Sequence, residues 1–342
     1  ALAGVLLVHG ILGADRSHRI AGLAVLALAL VRVLIVDLPV AQKDPAAFHV
    51  LINGQFLTGL AVTGLLAWLG WSYRRGRLEL ARFETHLVTP LVLLAAVVLW
   101  WKGSFEIAAW WRLHDLGTDL DYAPQRMASI SLFWLLTTGA VLATGLLTRF
   151  RPLRILGLAL LTLTTAKILL WDILSGRAFE LGLRPFFNFQ FLIELVLPVL
   201  LAGVAWSFRR YRVRLSAAEL KLPTPLVLGA LCALIWIISA EILYHFSFRA
   251  HAGMVSSERE SLLTLSLVWA LYAAAVIAVG FLAQFKPMRL LGITMLAITT
   301  AKVFVVDLTS LEQGYRIAAF VGLGVLVLAI SLLYQKRRPR SV

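Results

Sequence analysis

Apolar runs of about twenty residues follow one another along nearly the whole chain, separated by short charged loops. A helix rises about 1.5 Å per residue, so ~20 apolar residues are what it takes to cross the ~30 Å hydrocarbon layer of a bilayer. Runs of that kind lie at 20–40, 49–71, 87–111, 128–148, 153–175, 186–208, 222–246, 262–283, 290–309 and 316–334. Residues 1–13 read as the second half of an eleventh. Strands are excluded as the spanning element, because the runs do not alternate and an open sheet edge is not tolerated in lipid. The expectation is an all-α integral membrane protein with about ten to eleven transmembrane helices. Composition agrees: 60% of the 342 residues are hydrophobic and only 15% charged, with a mean hydropathy of +0.86. A soluble domain carries about 25% charged residues.

The net charge of +14 would suit nucleic acid if it formed a stripe on a soluble face. It does not, because Lys and Arg sit in short loops between apolar runs. The loops Arg16–Arg19, Arg74–His86, Arg149–Arg154, Arg209–Lys221, Gln284–Arg289 and Gln335–Arg340 hold Lys and Arg far in excess of Asp and Glu. The opposite set, including Trp111–Met127 and Phe246–Ser261, is balanced. The positive-inside rule puts the first set, and the tail Lys336-Arg337-Arg338, in the cytoplasm. Anionic lipid head groups at those basic loops are the expected lipid partners, with no nucleic acid. The lone cysteine, Cys232, lies mid-run, which excludes a disulfide framework within the chain and makes a poor nucleophile. The start at Ala1, with no basic region ahead of the first apolar stretch, reads as a truncation or cleavage point.

A second constraint is internal repetition at an offset of 135 residues. Arg19, Arg154 and Arg289 correspond, as do Gly22, Gly157 and Gly292, then Arg32, Lys167 and Lys302, then Asp37, Asp172 and Asp307. Thr89-Pro90-Leu91-Val92 returns as Thr224-Pro225-Leu226-Val227, and Asn53-x-Gln55-Phe56 as Asn188-x-Gln190-Phe191. Glu106 returns as Glu241, Trp134 as Trp269 and Trp71-Ser72 as Trp206-Ser207. Each full unit holds four spans. Four is even, so successive copies enter the membrane in the same direction, as a parallel repeat rather than an inverted pair. The expected division is residues 1–86 as the C-terminal half of a first repeat, 87–221 as a second and 222–342 as a third. Tandem units of this kind make an array, and a half-unit at the start points to further copies upstream.

Charge inside the hydrocarbon costs about 2.5–3.5 kcal/mol per residue even on insertion scales, so each case calls for a partner. Counting from Arg154, Lys167 lies about 20 Å up its helix; counting from Pro90, Glu106 lies about 24 Å up its own. Both fall in the outer leaflet, and Glu241 and Lys302 follow by the repeat. Asn188, Gln190 and Glu194 enter the same level from outside, and Asp172, Asp307, Arg32 and Asp37 complete the intramembrane polar layer. Glu106–Lys167 and Glu241–Lys302 are the expected ion pairs, with Lys102 a competing partner of Glu106 at i,i+4. Lys167 and Asp172, about 140° apart on an α-helix, should face different neighbours.

Other residues point more weakly to chemistry. Trp100, Trp101, Trp110 and Trp111 suit an interfacial belt, or stacking on sugar or lipid head groups. Glu241, His245 and His251 have a loosely metal-like spacing without a fourth ligand. His114-Asp115, with Asp119 and Asp121, would be the acid and base of any outer-face enzyme. No phosphate loop and no His-Glu-x-x-His is present, and neither a cofactor nor a metal is implied.

The final stretch carries a resemblance. Ser266-Leu267-Val268-Trp269 through Lys286-Pro287-Met288-Arg289, Ala301-Lys302-Val303-Phe304-Val305-Val306-Asp307-Leu308 and Tyr315-Arg316-Ile317 through Leu333-Tyr334-Gln335 resemble the C-terminal part of a bacterial family of many-spanning membrane proteins. That family is known only as domain of unknown function 2339, and its members are commonly longer at the N-terminus. The likeness implies an inner-membrane, cell-envelope setting and supplies no activity. Tyr315-Arg316 stand about where the repeat would place Asn188-x-Gln190, so the last unit departs from the others. Three function classes follow: a non-catalytic scaffold or subunit presenting its loops to membrane or periplasmic proteins, a transporter or channel using the Lys/Glu layer, or an enzyme on lipid-linked glycan.

Overall fold

The computed structural model describes residues 2–13, 15–36, 52–74, 82–115, 123–173, 186–212, 215–251, 258–304, and 321–332 apart from 323, 326 and 330. At residues 36, 82, 83, 85, 114, 115, 123, 251, 258 and 259 the backbone alone is described. Among the described residues the chain is helical throughout, with no strand, and it divides into two compact units, Ala1–Ala178 and Phe179–Val342.

The first unit holds α1 (Leu2–Leu12), α2 (Arg16–Val31), α3 (Gly54–Arg74), α4 (Arg82–Asp115), α5 (Ala123–Leu147) and α6 (Arg151–Ala166). Two of these do not end as α-helices. α2 runs on into a π-turn over Arg32–Val36, and α6 into one over Lys167–Asp172. The helices pack most closely as hairpins of neighbours: α1 on α2, α3 on α4, α5 on α6. Small residues set those crossings, as they do where lipid removes any hydrophobic drive to associate. A Cβ on Gly157 would stand 2.6 Å from Leu142 Cγ, and one on Gly145 would stand 2.8 Å from the Arg154 backbone N. Between them these glycines let α5 and α6 touch nearly backbone to backbone. The turn joining the two helices needs one residue in the left-handed region, Arg149 at φ 56°, and Phe150 N–H closes it onto Gly145 O at 3.0 Å. That is the geometry of a Schellman cap, here built without glycine at its left-handed position. A buried core of Leu7, Leu26, Val33, Leu66, Leu69, Tyr73 and Val98 joins α1 to α4.

The second unit holds α7 (Phe189–Arg210), α8 (Pro223–His251), α9 (Glu258–Leu282) and α10 (Lys286–Lys302), with a short 3-10 turn at Glu219–Lys221. Here α7 packs on α8 and α9 on α10. The α9–α10 turn repeats the first unit's device, with Gln284 at φ 52° and Phe285 N–H bonded to Gly280 O at 3.0 Å.

Eight helices among the described residues are long and apolar enough to cross a membrane. They cover the expected runs from the one beginning at residue 20 to the one ending at 283. α1 is an apolar helix too short to count, and α10 is described over 17 residues. The expected span at 316–334 lies mostly outside the described residues. α4 begins at Arg82, earlier than the run 87–111 suggested, because Glu84 in its first turn is drawn into a buried ion pair.

Candidate functional site

Lys167 is the most fully described member of the expected polar layer, and its backbone explains its partner. α6 starts cleanly, with Phe150 extended at its N-cap and Pro152 in the first turn, where a missing N–H costs nothing. At Lys167 the helix widens into the π-turn, and Ile173 N–H reaches back five residues to Ile168 O at 3.2 Å. A π-turn has more residues per turn than an α-helix, so positions five apart return to one face. Lys167 Nζ therefore meets Asp172 of its own helix, at 2.7 Å to Oδ1 and 3.0 Å to Oδ2. This overturns two expectations. Lys167 and Asp172 do not face different neighbours, and Lys167 does not pair with Glu106.

The rest of the cluster comes from α5. Lys167 Nζ also donates to Ser131 Oγ at 2.5 Å and to Met127 O at 3.2 Å, so all three ammonium hydrogens are engaged. Ser131 in turn donates to Asp172 Oδ2, and the ammonium lies 5.7 Å from the Trp134 ring centroid. The side chains are 12% and 2% exposed for Lys167 and Asp172. A Ser–Lys nucleophile would need a neutral amine taking the serine proton. Here the polarity is reversed, because the ammonium donates to Ser131 and the serine hydrogen goes to a carboxylate. The arrangement is an interhelical clasp, not an activated hydroxyl.

In the second unit Lys302 Nζ donates to Ser266 Oγ at 2.6 Å and to Leu262 O at 3.1 Å, the same contacts 135 residues on. Its counterpart acid, Asp307, lies outside the described residues, as does Asp37. Arg32 opens the first π-turn and is exposed.

Glu106 and Glu241 belong to a different joint. Asn53 precedes α3 and Asn188 caps α7, each accepting from the backbone N–H three residues on, Phe56 and Phe191, at 2.8 Å. That leaves each amide nitrogen to donate outward. Asn53 Nδ2 donates to Glu106 Oε1, and Asn188 Nδ2 donates to Glu241 Oε1 at 2.6 Å, where Phe186 N–H also donates at 2.9 Å. Each carboxylate thus fastens α4 to α3, or α8 to α7, from within the hairpin. Gln190 donates to Glu194 one turn away at 3.0 Å, and Glu194 is buried.

The aromatic cluster is partly interior. Trp100 lies 4.5 Å from Trp134, whose Nε1 donates to Ser104 Oγ at 2.8 Å; Trp269 makes the same bond to Ser239. Trp110 and Trp111 pack edge to face at 4.8 Å. Among the described residues no group of three His, Cys, Asp or Glu could hold a metal ion. Of the loose trio considered, Glu241 is engaged by Asn188 and His245 packs on Phe246 at 5.5 Å, while the His251 side chain is outside the described residues. So are the side chains of His114 and Asp115, and the whole of Asp119 and Asp121.

One buried pair escaped the sequence reading. Arg19 on α2 forms a fork with Glu84 on α4, Nε to Oε1 at 2.9 Å and Nη2 to Oε2 at 3.3 Å. Tyr73 OH approaches the same carboxylate at 3.4 Å, and Arg19 Nη1 also reaches Gly10 O at 3.3 Å. Arg19 is 3% exposed and Glu84 is fully buried. By sequence both fall in the basic loops Arg16–Arg19 and Arg74–His86. The available signal was that Glu84 recurs at the 135-residue offset as Glu219, itself buried and accepting from Ser216 N–H at 2.7 Å.

Residues 173–337 match the family model described as predicted membrane protein (DUF2339), the C-terminal part of the chain. No curated protein and no solved structure matches.

Proposed function

We propose that this multi-helix membrane protein is a non-catalytic scaffold, or subunit, of a cell-envelope complex in the bacterial inner membrane. The observation that carries the reading is the Lys167 clasp: the ammonium donates to Ser131 and the Met127 carbonyl on α5 and to Asp172 on its own helix, which in turn accepts from Ser131. A transport site keeps binding capacity in reserve for its cargo, whereas a clasp of this kind fixes helices. The architecture proposed with it is a tandem parallel repeat of four spans, bounded near residues 86 and 221. Its support is the recurrence, at an offset of 135, of the Lys–Ser, Asn–Glu, Trp–Ser and Gly–Arg contacts. The basic loops and C-terminal tail are cytoplasmic in this reading, where they meet anionic lipid, and the outer loops meet other membrane or periplasmic proteins.

The test is complementation of a strain lacking the protein with a Lys167→Met/Asp172→Leu double variant. A scaffold needs the helices joined, not the charges, so the double variant should assemble and restore the wild-type phenotype. Assembly at the wild-type level with no rescue would instead make the charges functional, and proton or solute flux in proteoliposomes would then be the property to measure.

A further inference from the structure

In the first unit a cleft of about 380 Å³ opens between α3, α4 and α5, with Phe150 and Leu153 at one end. Its walls are hollowed by small residues: Ala67 and Gly70 on α3, Ala95 and Ala96 on α4, Ala140 on α5. Ala67, Ala140 and Thr144 are exposed, so the cleft faces outward along its length. It runs on α3 from Thr63 to Arg74, and at the helical rise that is about 16 Å, close to one leaflet of a ~30 Å hydrocarbon layer. One end is apolar. The other carries Arg74, whose Nη2 donates to Thr148 O at 2.7 Å and whose guanidinium lies 5.0 Å from the Phe150 ring centroid. Among the described residues no carboxylate pairs with it, and the exposed Arg149 and Arg151 flank Phe150 in sequence.

We propose that this cleft holds one anionic phospholipid of the leaflet beside the basic loops, an acyl chain lying along Ala67, Ala96 and Ala140 and the phosphate on Arg74. The charge is complementary, since a planar guanidinium already tied down by its stack and one carbonyl keeps its remaining hydrogens for a phosphate. The length matches one acyl chain, and the volume falls in the range of small-molecule sites, about 300–1,000 Å³. The second unit supplies a natural control. Arg209 lies over Phe285 at the same 5.0 Å, but Tyr272 stands where Thr137 does and Leu231 where Ala96 does. The Tyr272 hydroxyl donates to Leu231 O at 2.8 Å, so in that unit protein side chains take the space. The proposal deepens the general affinity for anionic lipid proposed above, by naming one site that retains it.

The experiment is native mass spectrometry of the full chain, purified in mild detergent and supplied with phosphatidylglycerol or phosphatidylcholine. Wild type should retain one phosphatidylglycerol at least tenfold more tightly than phosphatidylcholine. Ala96→Leu/Thr137→Tyr, a filling the second unit already tolerates, should lose that lipid while unfolding at the wild-type temperature. Arg74→Gln should lose the preference between the two lipids, and Arg209→Gln should leave it unchanged. Retention of phosphatidylglycerol by the filled variant, or equal loss from Arg209→Gln, would overturn the site. In the second case the affinity belongs to the basic loops at large, so the general reading survives while the cleft does not.

Discussion

Removing the Lys167 ammonium alone should be among the most damaging changes in the first unit. Lys167→Met deletes the ammonium that meets both carboxylate oxygens of Asp172, a side chain only 2% exposed. Breaking one side of a buried pair costs about 3–5 kcal/mol, because the charge left behind loses the attraction that offset its burial. Asp172→Leu alone should cost a similar amount by stranding the ammonium against Ser131 and the Met127 carbonyl. The double variant Lys167→Met/Asp172→Leu replaces both charges with apolar groups of similar volume. Buried pairs so replaced are often neutral, so it should fall within about 1 kcal/mol of wild type. The coupling in the cycle would then be several kcal/mol, far above the ~0.5 kcal/mol seen between independent sites. The assay is reversible unfolding of the four proteins in bicelles, read by tryptophan fluorescence and repeated at two protein concentrations. Near-additive losses, with the double variant the least stable of the four, would refute the clasp and mean that each charge has its main partner elsewhere.

Gly157→Ala should cost about 1–3 kcal/mol, since its new Cβ would lie 2.6 Å from Leu142 Cγ and 3.2 Å from the Leu142 backbone N. Gly203→Ala, which meets nothing within 4 Å, should be neutral or stabilising by up to about 1 kcal/mol; thermal unfolding compares the two. Asn188→Leu removes both the α7 cap and a donor to Glu241, and should cost about 2 kcal/mol by the same measurement. Asp15 accepts from His18 and from Ser17 N–H at the start of α2, which hold its carboxyl below the usual value of 3.8. A depressed carboxyl contributes stability above its unfolded value, and that contribution is lost as pH falls through the folded value. Amide exchange at Ser17 should therefore lose protection below the ordinary carboxylate range in the wild type and not in Asp15→Asn.

The periodic apolar runs carried most of the fold, because in lipid a helix is the only open-chain answer to unsatisfied backbone groups. What they could not carry was the pitch of the helix at Lys167. Five residues separate two opposite charges, and only the change from α to π turns that spacing from divergence into contact. Depth arithmetic placed Glu106 and Lys167 at one level, but depth does not choose neighbours. Asn53, which lies near the start of the expected run 49–71, took the carboxylate instead, since its cap geometry aims the amide across the hairpin. Glu84 was hidden for a different reason: a buried acid inside a run of arginines looks like a solvated loop until α4 is seen to begin at Arg82. The cleft leaves no local mark at all. It arises from absent volume on three helices, and becomes readable only when Thr137 and Ala96 are set beside Tyr272 and Leu231.

The central claim is that the Lys167–Asp172 clasp is closed, its charges facing protein and not water. Ser131 is 1% exposed at the centre of the clasp, and Ile52, beside the Asn–Glu joint, is 74% exposed. In a Cys232→Ser background, Ser131→Cys and Ile52→Cys can each be treated in intact membranes with a membrane-impermeant thiol reagent. The account predicts rapid labelling at position 52 and none at 131 until the membrane is dissolved and the chain unfolded. Labelling at both positions, at comparable rates in the folded protein, would put water at the clasp and contradict it.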